Sequence, residues 1–435
     1  MALSGLSLHA QEEWTLKQCL DYALQNNIQI QKNKVSEQQG EVSLWQARGA
    51  LLPSLSFSTN HSVGYRPFQE SIAMVQNGQV TNTSNKVTYN GSYGLNASMT
   101  VWNGGINQKN IEAQQLQNKI TALTTEQSEL SIQEQIAQLY VQILYSQEAQ
   151  QVNKQLAQTA KSQYERGQQM LEQGLMSKAD VAQLEAQWRS AEYDIVSSVT
   201  QVANYKRQLK SLLQLPMEAA FDLTGTSPAD VQVLASLPTR EQVYNQALAT
   251  RPEIKSAELS IDAANLDLDI AKRGYYPTVS LSASLGDSHY SGSNSSMGNQ
   301  MKTNLNMSAG VSVSVPIFDN RKIKSSIEKA KLAKTTSQLD LQEKKSSLSS
   351  TIEEYWLNAN SNQQKFIAAR AKVQSMESSY ELLDEQFKNG LKNIVELLQG
   401  RDNLVNAKQD ELQSKYTTLL NMQLLKFYGG EAIDL

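Results

Sequence analysis

The chain of 435 residues has little of what a disulfide scaffold, a metalloenzyme or a helical membrane protein is built from. Its one cysteine, Cys19, excludes an intramolecular disulfide and any multi-thiolate metal centre. Cys19 sits at an apolar position of the helical stretch "TLKQCLDYAL" and reads as a core thiol. The three histidines, His9, His61 and His289, are scattered, the last two in opposite halves. No HExxH, GxSxG, Walker or GxGxxG arrangement falls in a strand–helix context, so no enzyme, no metal and no cofactor is expected. A net charge of −4, from 39 basic and 43 acidic residues, offers no face for nucleic acid. No run reaches the ~18 apolar residues of a membrane-spanning helix. If this chain crosses a bilayer, it does so as strands.

Proline is also scarce. Of the eight, Pro53 and Pro67 come early, Pro216 stands next, and a group runs from Pro228 to Pro316. Two long proline-free segments remain, as long helices require. In the first, Leu116, Leu123, Leu130, Ala137 and Leu144 repeat at seven, with Ile120 and Val141 between them. After Gly174 the pattern resumes with Val181, Leu184, Trp188, Ala191, Ile195, Val202, Tyr205, Leu209 and Leu212. A helix from Gly105 to about Gly167 would be a rod of roughly 90 Å. The hydrophobic share, 40%, and a mean hydropathy of −0.46 describe a solvent-washed, elongated object better than a compact globule of this length.

The chain repeats itself. "ARGALLPSLSFS" (47–58) matches "AKRGYYPTVSLS" (271–282), and upstream "CLDYALQNN" matches "VYNQALATR". Downstream "VWNGGINQKN" matches "PIFDNRKIKS", and "EQGLMSKADVAQLEA" matches "KNGLKNIVELLQGRD", placing Gly174 opposite Gly390. The expected organisation is a first repeat at 11–215, a linker at 216–238 and a second repeat at 239–435. Each repeat reads helix, two strands, and a long helical hairpin. The opening "MALSGLSLHAQ" resembles the tail of a secretory signal lacking its basic segment, with 1–10 the remnant; a disordered N-terminus is the alternative.

The strands are expected at about 53–66, 86–102, 277–290 and 302–316. In each, apolar residues alternate with Ser, Asn and Thr, most cleanly in Leu305, Met307, Ala309, Val311, Val313 and Val315. A soluble sandwich would cover such an apolar face with a second sheet, but the helices already spend their apolar stripes on one another. An apolar face with no protein to cover it fits lipid better than a sandwich, with the polar face then lining a wet lumen. Four strands cannot close a barrel, and open edges are not tolerated in hydrocarbon, so several copies must assemble.

In this order and duplicated, "WTLKQCLDYALQNN", "ARGALLPSLSFS", "VWNGG" with "PIFDN", and "GLMSKADV" with "GLKNIVELL" resemble the TolC-like outer-membrane efflux protein family. The resemblance implies a mainly α fold with a transmembrane β-barrel: a homotrimer whose twelve strands form one barrel in the outer membrane, continued by a coiled-coil α-helical barrel across the periplasm. It implies a passive exit duct that docks with a periplasmic adaptor protein and an inner-membrane transporter. It places a periplasmic gate at Asp180, Phe387, Lys392, Glu396 and Gln399, and adaptor docking at the helix tips Gly174, Leu175, Gly390 and Leu391. An Asp180–Lys392 ion pair would latch helix pairs, and three copies of Glu396 would make an acidic ring. Phe387 stands where the family has a tyrosine, Lys392 where it has arginine and Gln399 where it has a second aspartate, so a looser latch is expected. Read without the resemblance, Asp180 favours a helix N-terminus, Lys392 and Glu396 are solvated charges, and the glycines are ordinary C-caps.

Drug efflux and type I protein secretion are not separable here, since the duct does not choose the cargo. Two other classes fit less of the pattern. A periplasmic coiled-coil scaffold explains the heptads and not the strands, and a pore-forming toxin would begin as a soluble protein.

Overall fold

A computed structural model describes residues 13–68, 72–76, 79–83, 86–224, 229–293 and 295–434, with only the backbone described within 72–83. The expected signal remnant at 1–10 lies outside the described residues. In chain order the elements are β1 (Glu13–Trp14), α1 (Leu16–Asn26), α2 (Ile28–Gly49), β2 (Ser54–Tyr65), β3 (Ile72–Gln76), β4 (Gln79–Thr83), β5 (Val87–Trp102), α3 (Ile106–Glu172) and α4 (Lys178–Leu213). There follow β6 (Asp222–Leu223), α5 (Asp230–Val233), α6 (Arg240–Thr250), α7 (Pro252–Arg273), β7 (Thr278–Tyr290), α8 (Met297–Asn304), β8 (Asn306–Ser314), α9 (Lys322–Lys388) and α10 (Ile394–Tyr428). The helix pair, two long strands and long hairpin of the first half recur in the second.

The chain divides into two compact units that cut across the halves: residues 1–36, 121–258 and 339–435 make one, and 37–120 with 259–338 the other. The first is helical. Its core draws on α3, whose Ile136, Ala137, Tyr140 and Ile143 are buried against Leu209 and Leu213 of α4, Ile352 of α9 and Leu425 of α10; of these only Ala137 belongs to the sevenfold series. Cys19 of α1 is fully buried in this cluster, and burial pushes its thiol up to about 12. Two tyrosines crossing the core are anchored on carboxylates: Tyr416 donates to Glu148 at 2.6 Å, and Tyr355 donates to Glu134. The short β1–β6 pairing closes beside them, where Lys206 meets Asp222 at 2.7 Å. Burial would raise the Asp222 carboxyl, but the Lys206 ammonium, the Leu223 N–H and the Gln147 amide together hold it below the usual carboxylate range.

The second unit holds an antiparallel sheet in the order β2-β5-β7-β8. Its register sets Phe57 opposite Leu95, Leu95 opposite Leu285 and Leu285 opposite Met307; Ala97, Ala283 and Ala309 form the next row. Directly opposed residues share a face, so every alternating strand puts its apolar set on one side. That side is bare: Leu55 is 69% exposed, Val63 70% and Met307 74%. The other side carries serine ladders, with Ser54 and Ser98 hydroxyls 2.9 Å apart and Ser284 and Ser308 hydroxyls 2.7 Å apart. Rings mark both ends of the apolar side. Trp102 packs on Tyr276 at the helical end, and His61, Tyr89, Tyr93 and His289 cluster at the far end. An apolar band between two aromatic belts is the pattern of a sheet in lipid.

Three expectations are corrected. The fourth strand begins at Asn306 rather than about 302, because Met297–Asn304 is helical, and it ends at Ser314, leaving Leu305 and Val315 outside it. The long helix extends to Glu172, past Gly167, where the absent side chain lets Leu184 of α4 approach. His61 and His289, far apart in sequence, meet with ring centroids 6.3 Å apart because β5 lies between their strands.

The turns from sheet to helix differ between halves. Gly104 and Gly105 take φ of 70° and 78°; in the second half the left-handed pair falls one residue later than the sequence match places it, at Asn320 and Arg321, with φ of 53° and 69°. A left-handed backbone suits glycine and costs about 1–2 kcal/mol for a residue with a Cβ. Asp319 offsets that cost by accepting the N–H of Arg321 at 3.1 Å and of Ile323 at 2.6 Å.

Candidate functional site

The resemblance directs attention to the two turns that join the long helices, both in the helical unit. Each is built by the same local chemistry. At the first, Gly174 takes φ +74°, its N–H reaches the Leu171 carbonyl at 2.9 Å and the Leu175 N–H reaches Met170 at 2.8 Å. At the second, Gly390 takes φ +71°, with Gly390 to Phe387 at 3.0 Å and Leu391 to Gln386 at 2.9 Å. Both are the paired bonds of a glycine-ended helix, which satisfy carbonyls left open at its last turn. Leu175 and Leu391 end up 68% and 74% exposed at the tips.

The helices that leave the turns are capped by side chains. Ser177 accepts the Asp180 N–H at 3.1 Å and donates its hydroxyl to the Asp180 carboxylate at 2.8 Å. Asn393 and Glu396 form a reciprocal capping box at the start of α10, with Glu396 N–H to Asn393 at 2.9 Å. Lys392 then pairs with Glu396 at 2.7 Å, and this contact, with the Asn393 N–H, lowers the carboxyl below its ordinary range. Gln399 donates to Asn403 at 3.2 Å along the same helix. Among the described residues Asp180 and Lys392 form no ion pair within one chain; Asp180 is held by Ser177 and Lys392 by Glu396.

Phe387 is placed differently from the other expected gate residues. It is buried with Leu184, Ile394 and Leu397, and Tyr164, Met176 and Tyr380 pack around them. Phenylalanine at this position locks the two hairpins together from inside, which a hydroxyl-bearing ring would do less well without a partner. A second tie beside it left no mark in the sequence pattern: Gln163 of α3 donates to Tyr380 at 2.8 Å and to Asp384 at 3.0 Å, both on α9. Burial first, and Asp384 nearby, raise the Tyr380 phenol despite that hydrogen bond. Also missed was a cavity of about 400 Å³ between α3, α4 and α10, into which Tyr145, Asp194, Gln201 and Arg401 project. The signal for both lay in polar residues at helical spacing, which look the same as a solvated face.

Among the described residues no group of three or more His, Cys, Asp or Glu side chains could hold a metal, and no helix is long and apolar enough to cross a membrane. What the unit offers is a pair of capped, interlocked helical tips.

Comparison with known proteins supplies the family. The pattern of the family described as "Outer membrane efflux protein" matches residues 19–214 and 243–431. Outer membrane protein TolC of Salmonella enteritidis is 24% identical over 99% of this chain and 84% of its own length. The alkaline protease secretion protein AprF of Pseudomonas aeruginosa is 22% identical over 94% and 82%. Among solved structures, the CmeC outer membrane channel of Campylobacter jejuni superposes with a TM-score of 0.76 at 19% identity, covering 97% of this chain and 87% of that one. A scaffold or a toxin is thereby set aside: the chain belongs to the outer membrane efflux protein family and is an outer-membrane channel of efflux or secretion systems.

Proposed function

We propose that three copies of this chain close a twelve-stranded barrel in the outer membrane, continued by a barrel of their long helices, and that the assembly is the passive exit duct of a tripartite efflux or secretion system. The observation that carries the reading is the sheet of β2, β5, β7 and β8, which has one lipid-suited face and two open edges. An open edge in hydrocarbon leaves backbone N–H and C=O groups unsatisfied at several kcal/mol each, so β8 of one copy must pair with β2 of the next. Their directions suit antiparallel pairing, because β2 runs away from the helices and β8 runs toward them. The two repeats, 11–215 and 239–435 joined through 216–238, are read as duplicated halves of one ancestral unit. Energy comes from an inner-membrane transporter, reached through a periplasmic adaptor.

The adaptor contact is assigned to the tips at Gly174, Leu175, Gly390 and Leu391, where apolar side chains stand exposed. Asp180, Lys392, Glu396 and Gln399 are assigned to the entrance, with Phe387 holding the hairpins behind them. Because Lys392 is already paired with Glu396, opening exchanges one exposed, solvent-screened ion pair for another. Docking energy of ordinary size suffices for that.

Mass measurement on the detergent-extracted protein tests the assembly: about three times 48.3 kDa is expected, and a monomer overturns it. For the entrance, Asp180→Ala with Lys392→Ala should raise single-channel conductance in planar bilayers, and unchanged conductance refutes the assignment. Family likeness reaches both drug efflux and protein secretion, and no residue here favours either cargo.

A further inference from the structure

We infer that the turn at 316–324 is a docking surface for the anionic phospholipid headgroups of the periplasm-facing leaflet, an inference that rests on the outer-membrane reading above. Three observations meet there. The first is conformational. The matching turn of the other half uses Gly104 and Gly105 for its two left-handed residues, whereas this one holds Arg321 at φ +69°. Glycine would relax the backbone, so the guanidinium is kept against a conformational cost.

The second is charge. Arg321, Lys322 and Lys324 are exposed, as is Lys272 at the end of α7, and none of the four joins a carboxylate among the described residues. The neighbouring acids are committed: Asp319 holds the turn's own N–H groups, Asp269 pairs with Arg273 at 3.2 Å and Glu328 with Lys331 at 3.0 Å. The third is position. Ile317 and Phe318, 96% and 85% exposed, continue from the helical end of β8, beside the belt of Trp102 and Tyr276. Bare apolar side chains followed at once by cations match a chain leaving hydrocarbon for headgroups. A second copy is a poorer occupant for these cations: in the proposed ring the next copy's β2 lies beside β8, and the segment 49–53 that leads into it carries no carboxylate.

The test uses the full chain in detergent micelles, titrated with phosphatidylglycerol or with phosphatidylcholine of the same acyl chains, bound lipid being counted by native mass spectrometry. At roughly fivefold per cation near an anionic surface, partly screened, the wild type should prefer phosphatidylglycerol by at least about tenfold. The preference should fall as salt is raised. The variant Arg321→Gly/Lys322→Gln/Lys324→Gln should bring it to within about twofold; its glycine relaxes the turn, so misfolding does not confound the result. Equal binding of the two lipids by the wild type overturns the inference, as does an undiminished preference in the variant. Competition by millimolar inorganic phosphate would reassign the turn to a free anion, and a changed oligomer mass with unchanged lipid preference would reassign it to a subunit contact. Protein that fractionates with the outer membrane yet shows no preference overturns this inference alone and leaves the channel standing.

Discussion

Arginine substitutions at two adjacent positions of β7 would show which side of the sheet meets lipid. Ala283 lies on the apolar face, opposite Ala97 and Ala309; Ser282 lies on the other, opposite Ser98 and Gly310. The aromatic belts bracket Ala283: Val279 is opposite Trp102 and Asp287 opposite Tyr93, with Ala283 midway. Eight residues at about 3.4 Å with a strand tilt of about 40° span roughly 21 Å along the membrane normal, which puts Ala283 near the midplane. An arginine on the lipid face at the midplane costs about 2–4 kcal/mol, about 30- to 700-fold in the folding equilibrium. Ser282→Arg places the same charge toward water and should cost well under 1 kcal/mol. Urea-induced unfolding in lipid vesicles, followed by tryptophan fluorescence, measures both. Equal destabilisation by the two, or none by Ala283→Arg, would refute the assignment of faces and return the sheet to a soluble packing.

Two further outcomes are expected. Leu397 is fully buried in the cluster behind the entrance, so Leu397→Ala should cost about 2–5 kcal/mol locally, seen as faster amide exchange confined to the hairpin tips; exchange unchanged there would mean the cluster does not hold the hairpins. Asp222 is held below the ordinary carboxylate range, so it stabilises the native state above its unfolded value of about 3.8 and loses that effect as pH falls through the lower, folded value. Asp222→Asn should therefore destabilise by about 1–2 kcal/mol at pH 7, and the gap from wild type should close in acid; a gap independent of pH would refute the ionic account.

The strands and long helices could be read from the sequence because each leaves a period that no other element imitates. Alternation over Ser54–Tyr65 or Asn306–Ser314 fixes a face residue by residue, and the sevenfold spacing from Leu116 to Leu144 fixes a helical seam. Met297–Asn304 escaped because a short polar helix has no apolar stripe to betray it. The meeting of His61 with His289 was hidden for a different reason: it depends on β5 lying between β2 and β7, and strand order is a property of topology, not of local spacing. At the tips, Gly174 and Gly390 could be read, while the burial of Phe387 and the Gln163–Tyr380–Asp384 tie could not, since they rest on which helices face each other.

Cys19 gives the protein a practical property. Burial pushes its thiol well above the ordinary range, so it resists forming the reactive thiolate, and it is closed off in the helical core. The native chain therefore behaves toward maleimides and disulfide reagents as though it had no cysteine. A thiol introduced at a strand edge or helix tip would report on that place alone, with no need first to remove the natural residue and disturb the packing around it.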